Sequence, residues 1–402
     1  MRVTLEDIKK AQTTIEKLIN YTPCDFSKSL SDLLGSDIYL KLENTQKTGS
    51  FKIRGASNKI ANLTPEEKKR GVICCSAGNH AQGVALSSTL NNVRAVVVMP
   101  VNAPIAKIDA TKHYGAEVIL HGAMFDEAKE HAFKLAKEHG YVFVHPYEDE
   151  QVIAGQGTIG LEIFEQIAAL DTVVIPIGGG GLISGISTAI KSLNPKIKII
   201  GVQTELVSTM AQMFHTKKFT PLDKPVATLA DGIAVKTPSE AMFHSFIEKN
   251  VDEVVTVTED EIAEAIVFLL ERAKTVAEGS GAVAVAAALS KKLSLGKRTC
   301  LIVCGGNIDL NIVSDIINRG QIKRGRLCEL SVTAPDVPGS LSQLTQVLAE
   351  HKANILEVHH DRIRSGLNLK ETRIEFVLET TSHEHIKTII AALEKVGAKI
   401  SI

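Results

Sequence analysis

The sequence predicts an α/β protein of mainly parallel, twisted sheets flanked by helices, followed by a smaller α+β module. Three observations lead there. Short β-branched runs alternate with amphipathic helical stretches over roughly 320 residues, the pattern of parallel sheets with helical crossovers. Clusters of glycine and other small residues stand directly after several of those runs, where such sheets place ligands beyond the carboxyl ends of their strands. Past residue 326 the order becomes β-α-β-β-α-β, a ferredoxin-like succession.

The elements follow in order. Thr4 with Asp7 forms a capping box, and Ile8, Ala11, Ile15, Leu18 and Ile19 share one helical face behind it. Strands are predicted at 38–43, 72–75, 95–99, 117–120, 172–177, 198–203 and 299–304. Helices are predicted at 125–139 and 259–274, the second opened by Thr258 and Glu261 as a capping box. The run 317–326 is basic, holds two glycines and lacks a sustained apolar period, so 321–326 is expected to link residues 1–320 to a module at 327–402. Within that module, strands are expected at 327–333, 353–364, 371–380 and 399–402, and helices at 340–351 and 384–396. No 20–50-residue repeat and no low-complexity segment interrupts the chain.

Bulk properties narrow the function. A hydrophobic share of 44% and a charged share of 23% are those of a soluble globular protein. A net charge of −1 gives no electrostatic case for nucleic acid or an anionic membrane surface. The most apolar stretch, 172–190, is broken by five glycines and a proline, so no membrane span is expected. The first seven residues lack the apolar segment of a signal peptide, and six scattered cysteines show no metal-ligand spacing. The expectation is a cytoplasmic protein with reduced thiols.

Four constellations carry chemistry. In Ser50-Phe51-Lys52-Ile53-Arg54-Gly55 the lysine sits between apolar neighbours. A partly desolvated lysine can hold an aldehyde as a Schiff base, although such a lysine alone can equally snorkel to solvent. Gly178-Gly179-Gly180-Gly181, followed by Leu182, lies between a strand and a helix. Consecutive backbone N–H groups there can converge on an anion, and a phosphate suits them better than the bare need for a tight turn. Its spelling completes neither G-K-[ST] nor G-x-G-x-x-G, which excludes the two familiar nucleotide loops. Ser76-Ala77-Gly78-Asn79-His80 opens another helix after a strand; it suits a carboxylate, and the Asn79 amide can donate to a phenolate-like oxygen. His80 by itself reads as a structural helix-start residue. Cys304-Gly305-Gly306-Asn307 ends a strand; its thiol could meet a ring nitrogen, while taken alone it reads as a small buried hydrophobe.

Together, in order and spacing, these motifs resemble the fold type II family of pyridoxal-phosphate enzymes, in its threonine/serine dehydratase branch. Gly155-Gln156-Gly157-Thr158, Ala230-Asp231-Gly232 and Glu278-Gly279-Ser280-Gly281-Ala282 fit the same branch, and the likeness spans roughly residues 4–320. The resemblance implies a two-lobed enzyme, the smaller lobe at about 44–145 inserted in the larger, with pyridoxal 5'-phosphate as cofactor. It implies that Lys52 holds the cofactor and serves as base at the substrate Cα, with Phe51 beside it. Gly178, Gly179, Gly180, Gly181 and Leu182 take the phosphate, Asn79 the ring hydroxyl oxygen and Cys304 the ring nitrogen. Ser76, Ala77, Gly78, Asn79 and His80 grip the substrate carboxylate. The implied reaction is β-elimination of L-threonine to 2-oxobutanoate and ammonia, and of L-serine to pyruvate.

Racemases of this fold resemble the dehydratases but carry a serine where Ala77 stands and an acid near the place of Gln203 for a divalent metal. Ala77 and Gln203 therefore imply neither racemisation nor a divalent metal. The competing readings are a racemase or β-replacement synthase of the same family and, from another class, a non-catalytic amino-acid sensor. The module at 327–402 resembles an ACT domain, with Asp336-Val337-Pro338-Gly339-Ser340 as its ligand loop. That implies a small effector held at Asp336, Pro338, Gly339 and Ser340, and a homodimer or homotetramer, although Asp-x-Pro-Gly is also a good turn before a helix. His359 and His360 are adjacent on an alternating strand and point to opposite faces, so they are expected to be structural.

Overall fold

A computed structural model of the chain describes residues 1–361, 368 and 370–401. The chain divides into two compact units, Met1–Ile308 and Asp309–Ile402.

The first unit contains two sheets. The larger has the order β1-β2-β10-β7-β8-β9, from β1 (Cys24–Phe26), β2 (Asp37–Leu42), β7 (Thr172–Pro176), β8 (Lys198–Thr204), β9 (Glu253–Val257) and β10 (Arg298–Val303). All its pairings are parallel except that of β1 with β2. The smaller sheet, entirely parallel, has the order β5-β4-β3-β6, from β3 (Val72–Cys75), β4 (Ala95–Met99), β5 (Glu117–Leu120) and β6 (Val142–Phe143). β3, β4 and β7 are buried along their whole length, as unbroken β-branched runs in a helix-covered parallel sheet should be. The predicted strands all form, with ends shifted by a residue at most. β1, β6 and β9 were not predicted: the first two span only three and two residues, too short for a period to show.

Helix boundaries follow their caps. Both capping boxes form, at Thr4–Asp7 and Thr258–Glu261. The stretch expected as one helix at 259–274 is α-helical over Glu259–Phe268 and closes in a π-helical turn, Leu269–Ala273. The helix Lys52–Ala61 crosses the helix Glu150–Gln166 with almost no separation. A Cβ at Gly155 would lie 2.6 Å from the Arg54 carbonyl oxygen, and one at Gly55 would lie 2.4 Å from the Gln156 amide nitrogen. Gly155 of the Gly-Gln-Gly-Thr motif thus serves backbone-to-backbone packing that seats the helix carrying Lys52, whereas a Cβ on Gly157 would meet Ile8 at 2.7 Å and the Gly185 carbonyl oxygen at 2.9 Å.

The second unit is an antiparallel sheet of order β12-β13-β11-β14, from β11 (Leu327–Pro335), β12 (Asn354–Asp361), β13 (Glu371–Glu379) and β14 (Lys399–Ser401). Helices Ser340–Glu350 and His383–Lys395 pack on it over Leu330, Val332, Ile374, Phe376, Leu348 and Leu393. The predicted β-α-β-β-α-β order is observed; residues 362–364 of the strand expected at 353–364, and Ile402 of the last one, lie outside the described residues. The basic run differs from expectation. A helix covers Leu310–Lys323, capped by Asp309, and only a short turn remains before β11. Ile316 alone is buried on it, while Leu310, Ile312, Ile317 and Ile322 are exposed, so no apolar period marked it in the sequence. Among the described residues no helix is long and apolar enough to cross a membrane.

Candidate active site

Three of the four chemical motifs lie just beyond the carboxyl ends of parallel strands: 76–80 after β3, 178–181 after β7 and 304–307 after β10. β7 and β10 are neighbours in the larger sheet, whereas β3 is central in the smaller one, so the two sheets contribute opposite walls of one site. The fourth motif is tied to these walls by backbone. Ser50 bridges Gly305, the Phe51 N–H donates to the Cys304 carbonyl at 3.1 Å, and the Gly306 N–H donates to the Gly49 carbonyl at 2.9 Å.

Lys52 opens its helix with its Nζ donating to the Pro146 carbonyl at 3.1 Å. Burial lowers its pKa to about 8, against the opposing pull of Cys304 and Glu278. The phenyl ring of Phe51 lies 5.1 Å from Nζ, one apolar wall of that desolvation.

The glycine turn meets the same segment. Tyr147, next to Pro146, packs so closely that a Cβ on Gly179 would lie 2.3 Å from its ring, and one on Gly181 would lie 2.9 Å from its Cβ. Gly180 has φ +96°, a left-handed backbone that disfavours any side chain, and it caps the helix Gly181–Leu193. No side chain caps that N-terminus, so its backbone donors face the turn. Leu182 is buried in the same core cluster as Phe51 and Cys304.

On the opposite wall, Ser76, Ala77, Gly78 and Asn79 are half-buried at the start of the helix Asn79–Leu90. A Cβ built on Gly78 meets nothing within 4 Å, so open space lies before this helix N-terminus. The His80 ring is turned away and buried, its Nε2 2.9 Å from the Val144 carbonyl. Burial and the nearby Lys52 charge push its pKa down to about 3, so the ring is neutral near pH 7.

Cys304 is 2% exposed, and its Sγ donates to the Ser280 carbonyl at 3.3 Å. Burial and the Glu278 charge push the thiol's pKa far up, so it stays protonated. Asn79 Nδ2 donates to Glu278 Oε1 at 2.7 Å, and Asn79 Oδ1 accepts from Asn307 Nδ2 at 2.8 Å. Lys52, Asn79, the glycine turn and Cys304 are thus brought together, with the His80 ring held apart on the Val144 carbonyl.

Sequence reasoning assigned no role to Glu278, Ser280, Asn307, Pro146 or Tyr147. The first three belong to motifs that mark the dehydratase branch, so a signal existed; Pro146 and Tyr147 stand in no motif. Gln203 is fully buried, and its side-chain oxygen accepts from the Ala211 N–H at 2.8 Å. Among the described residues no three His, Cys, Asp or Glu side chains converge as a metal site. The loop expected to hold an effector follows β11 in the other unit. Asp336, Pro338 and Gly339 are accessible there, Gly339 has φ +95°, and Ser340 Oγ donates to the Pro335 carbonyl at 2.7 Å.

Comparison with known proteins adds three kinds of likeness. The family model for pyridoxal-phosphate dependent enzymes matches residues 15–305, and that for the ACT domain matches residues 329–398. A Thermotoga maritima protein named L-threonine ammonia-lyase is 50% identical over 401 residues, covering all of this chain and 99% of that protein. Among solved structures, the processed form of threonine deaminase isoform 2 from Solanum lycopersicum superposes with a TM-score of 0.72 at 38% identity, over 78% of this chain and 90% of that one. Maize serine racemase superposes with a TM-score of 0.75 at 34% identity, over 80% and 99%.

Proposed function

The chain belongs to the family of pyridoxal-phosphate dependent enzymes, and from that premise we propose that it is a threonine ammonia-lyase, converting L-threonine to 2-oxobutanoate and ammonia and L-serine to pyruvate and ammonia. The observation that carries this reading is the pairing of a desolvated Lys52 amine with a buried, protonated Cys304 thiol. The half-identical, full-length relative named for the activity supports it.

The residues present fit the cofactor. Lys52 has an amine able to condense with an aldehyde, the turn at Gly178–Gly181 is closed to side chains and leads into an uncapped helix N-terminus, and Asn79 and Cys304 each offer a donor. Bound pyridoxal phosphate supplies the electron sink for charge leaving the substrate Cα. Lys52 Nζ holds the cofactor and then takes the Cα proton. The backbone N–H groups of Ser76, Ala77, Gly78, Asn79 and His80 hold the substrate carboxylate at the helix N-terminus. The Gly178–Gly181 backbone and Leu182 hold the phosphate, with Tyr147 excluding water from that end. Cys304, whose buried thiol stays protonated, would face the ring nitrogen without protonating it, which suits loss of the β-hydroxyl as the Cα proton departs. Ala77 has no proton to give on the opposite face, which favours elimination over racemisation.

Two expectations follow from this geometry. Capture of pyridoxal phosphate by the apoenzyme needs the neutral Lys52 amine, so its rate should rise with pH through about 8 and level off above it. An unperturbed lysine would keep climbing to about pH 10.4. Stopped-flow absorbance of reconstitution measures this. Gly179→Ala, whose new methyl would lie 2.3 Å from the Tyr147 ring, is expected to weaken cofactor binding by more than about tenfold in equilibrium dialysis.

The C-terminal ACT domain is assigned a regulatory role, holding a small effector at Asp336, Pro338, Gly339 and Ser340, with the chain working as a homodimer or homotetramer. The proposed location is the cytoplasm, in keeping with six free cysteines. The function is tested by 2-oxo acid release from L-threonine and L-serine, with chiral analysis of recovered serine. Oxo acid from threonine supports the reading; D-serine without oxo acid would replace it with racemisation.

A further inference from the structure

Glu278 carries none of the roles given above, although it is the carboxylate nearest the chemistry. It is 6% exposed and stands immediately before the helix Gly279–Leu289, its own N–H donating to the Gly305 carbonyl at 3.1 Å. Its Oε1 accepts two hydrogen bonds, from Asn79 Nδ2 at 2.7 Å and from Ser280 Oγ at 2.6 Å. A Cβ on Gly305 would fall 2.4 Å from that same oxygen, so the carboxyl lies directly on the backbone that follows Cys304.

The Asn79 amide is held from both ends. Asn307 Nδ2 donates to its oxygen at 2.8 Å and also to the Thr48 carbonyl at 2.8 Å. Both Asn307 N–H groups are thereby engaged. A side-chain amide is nearly symmetric in shape, and only its partners decide which end is nitrogen. A donor beside the oxygen and an accepting carboxyl oxygen beside the nitrogen leave one orientation, because rotating the amide would set oxygen against oxygen and nitrogen against nitrogen. One Asn79 N–H is used on Glu278 and the second remains to be offered. Glu278 also joins the two ends of the site: its partner Ser280 accepts the Cys304 thiol through its carbonyl.

On the premise that the site holds pyridoxal phosphate, we infer that Glu278 is a positioning residue that locks the Asn79 amide with its nitrogen toward the ring hydroxyl oxygen of the cofactor. An acceptor is needed there, and the Glu278 carboxyl oxygen, which already takes the Ser280 hydroxyl, is one. Retaining a carboxyl at this depth is costly: burial pushes its pKa up and the Asp231 charge adds to that, with Ser280 and Asn79 opposing them. The hydrogen bonds that offset the cost are those that orient Asn79.

The test uses the full chain with Glu278→Ala, Glu278→Gln, Asn79→Ala and the double variant Glu278→Ala/Asn79→Ala. The readouts are the pyridoxal phosphate dissociation constant, the visible absorption of the holoenzyme and the thermal midpoint, with no substrate present. Loss of the hydrogen bond that orients Asn79 predicts that Glu278→Ala weakens cofactor binding about tenfold and moves the absorption band as Asn79→Ala does. The double variant should bind no more weakly than Asn79→Ala alone, since Glu278 acts through Asn79. Glu278→Gln, which keeps an acceptor oxygen at the same reach, should retain the wild-type band and bind within about threefold of wild type. Additive losses in the double variant, a wild-type spectrum in Glu278→Ala, or a Gln variant as impaired as Asn79→Ala would each overturn the inference. A wild-type chain that binds cofactor but leaves threonine unchanged would fail the proposed activity and leave these comparisons intact. One that takes up no cofactor would overturn both.

Discussion

Lys52→Ala is expected to be colourless and to release 2-oxobutanoate at least about 10⁴-fold more slowly than wild type, since in the proposed mechanism one side chain supplies both the covalent anchor and the base. The structure argues against replacement by a neighbour. His80 is buried against the Val144 carbonyl, and His145 is held by N–H groups of Tyr147 and Glu148. Burial, aided by nearby lysine charges, depresses both rings, His80 to about 3 and His145 to about 4. As weak bases they cannot substitute for an amine titrating near 8. Lys52→Arg keeps the charge and the length but cannot condense with an aldehyde, so it should be as inactive as the alanine variant. Absorbance of the purified proteins and a coupled oxo acid assay decide the matter. An alanine variant with more than about a hundredth of wild-type turnover would remove Lys52 from the chemistry.

Arg54→Met should cost about 3–5 kcal/mol of stability, the largest effect on folding foreseen for a single residue of this chain. Arg54 lies two residues beyond Lys52 on the same helix, its guanidinium fully buried. It donates from Nε and Nη2 to Glu43, both at 2.8 Å, and from Nη1 and Nη2 to Glu162 at 2.6 and 2.9 Å. Lys41 Nζ completes the cluster, 2.5 Å from Glu162 and 2.8 Å from the Thr22 carbonyl. Two cations and two carboxylates balance; without Arg54, two buried carboxylates share one ammonium. In the wild type, burial pushes Glu43 up but Arg54 overrides it and holds the carboxyl below its usual range. That contribution is present above the unfolded-state value and lost as pH falls through the lower folded value. In the variant the stranded carboxyl is raised instead, so the deficit should shrink as pH is lowered from about 7 toward 5. Urea unfolding at both pH values tests the size and the sign. A deficit under about 1 kcal/mol, or one that grows on acidification, would refute the account.

Much of this was legible in the linear chain because it depended on local periods and short spellings. The runs at 72–75, 95–99 and 172–176 are continuous and β-branched, and in the structure they are buried throughout. The four glycines carried their own message, since the left-handed φ at Gly180 strains any residue with a side chain. Capping boxes are four-residue devices, and both formed where their spelling placed them.

Other features had no local mark. The Leu310–Lys323 helix escaped notice because it buries only Ile316. Arg54 and Lys41 look in sequence like ordinary surface cations; only the folding together of residues 22, 41, 43, 54 and 162 makes them a buried, balanced cluster. Glu278 stood inside a quoted motif, yet its partner Asn79 is 199 residues away, a hydrogen bond between residues that no local spacing relates. Periodicity thus determined the fold class, and the resemblance carried by the motifs implied the cofactor and pointed to Lys52, the glycine turn, Asn79 and Cys304. The tertiary structure decided how those groups behave, because desolvation, ion pairing and amide orientation depend on which distant side chains share a few ångströms of low-dielectric space.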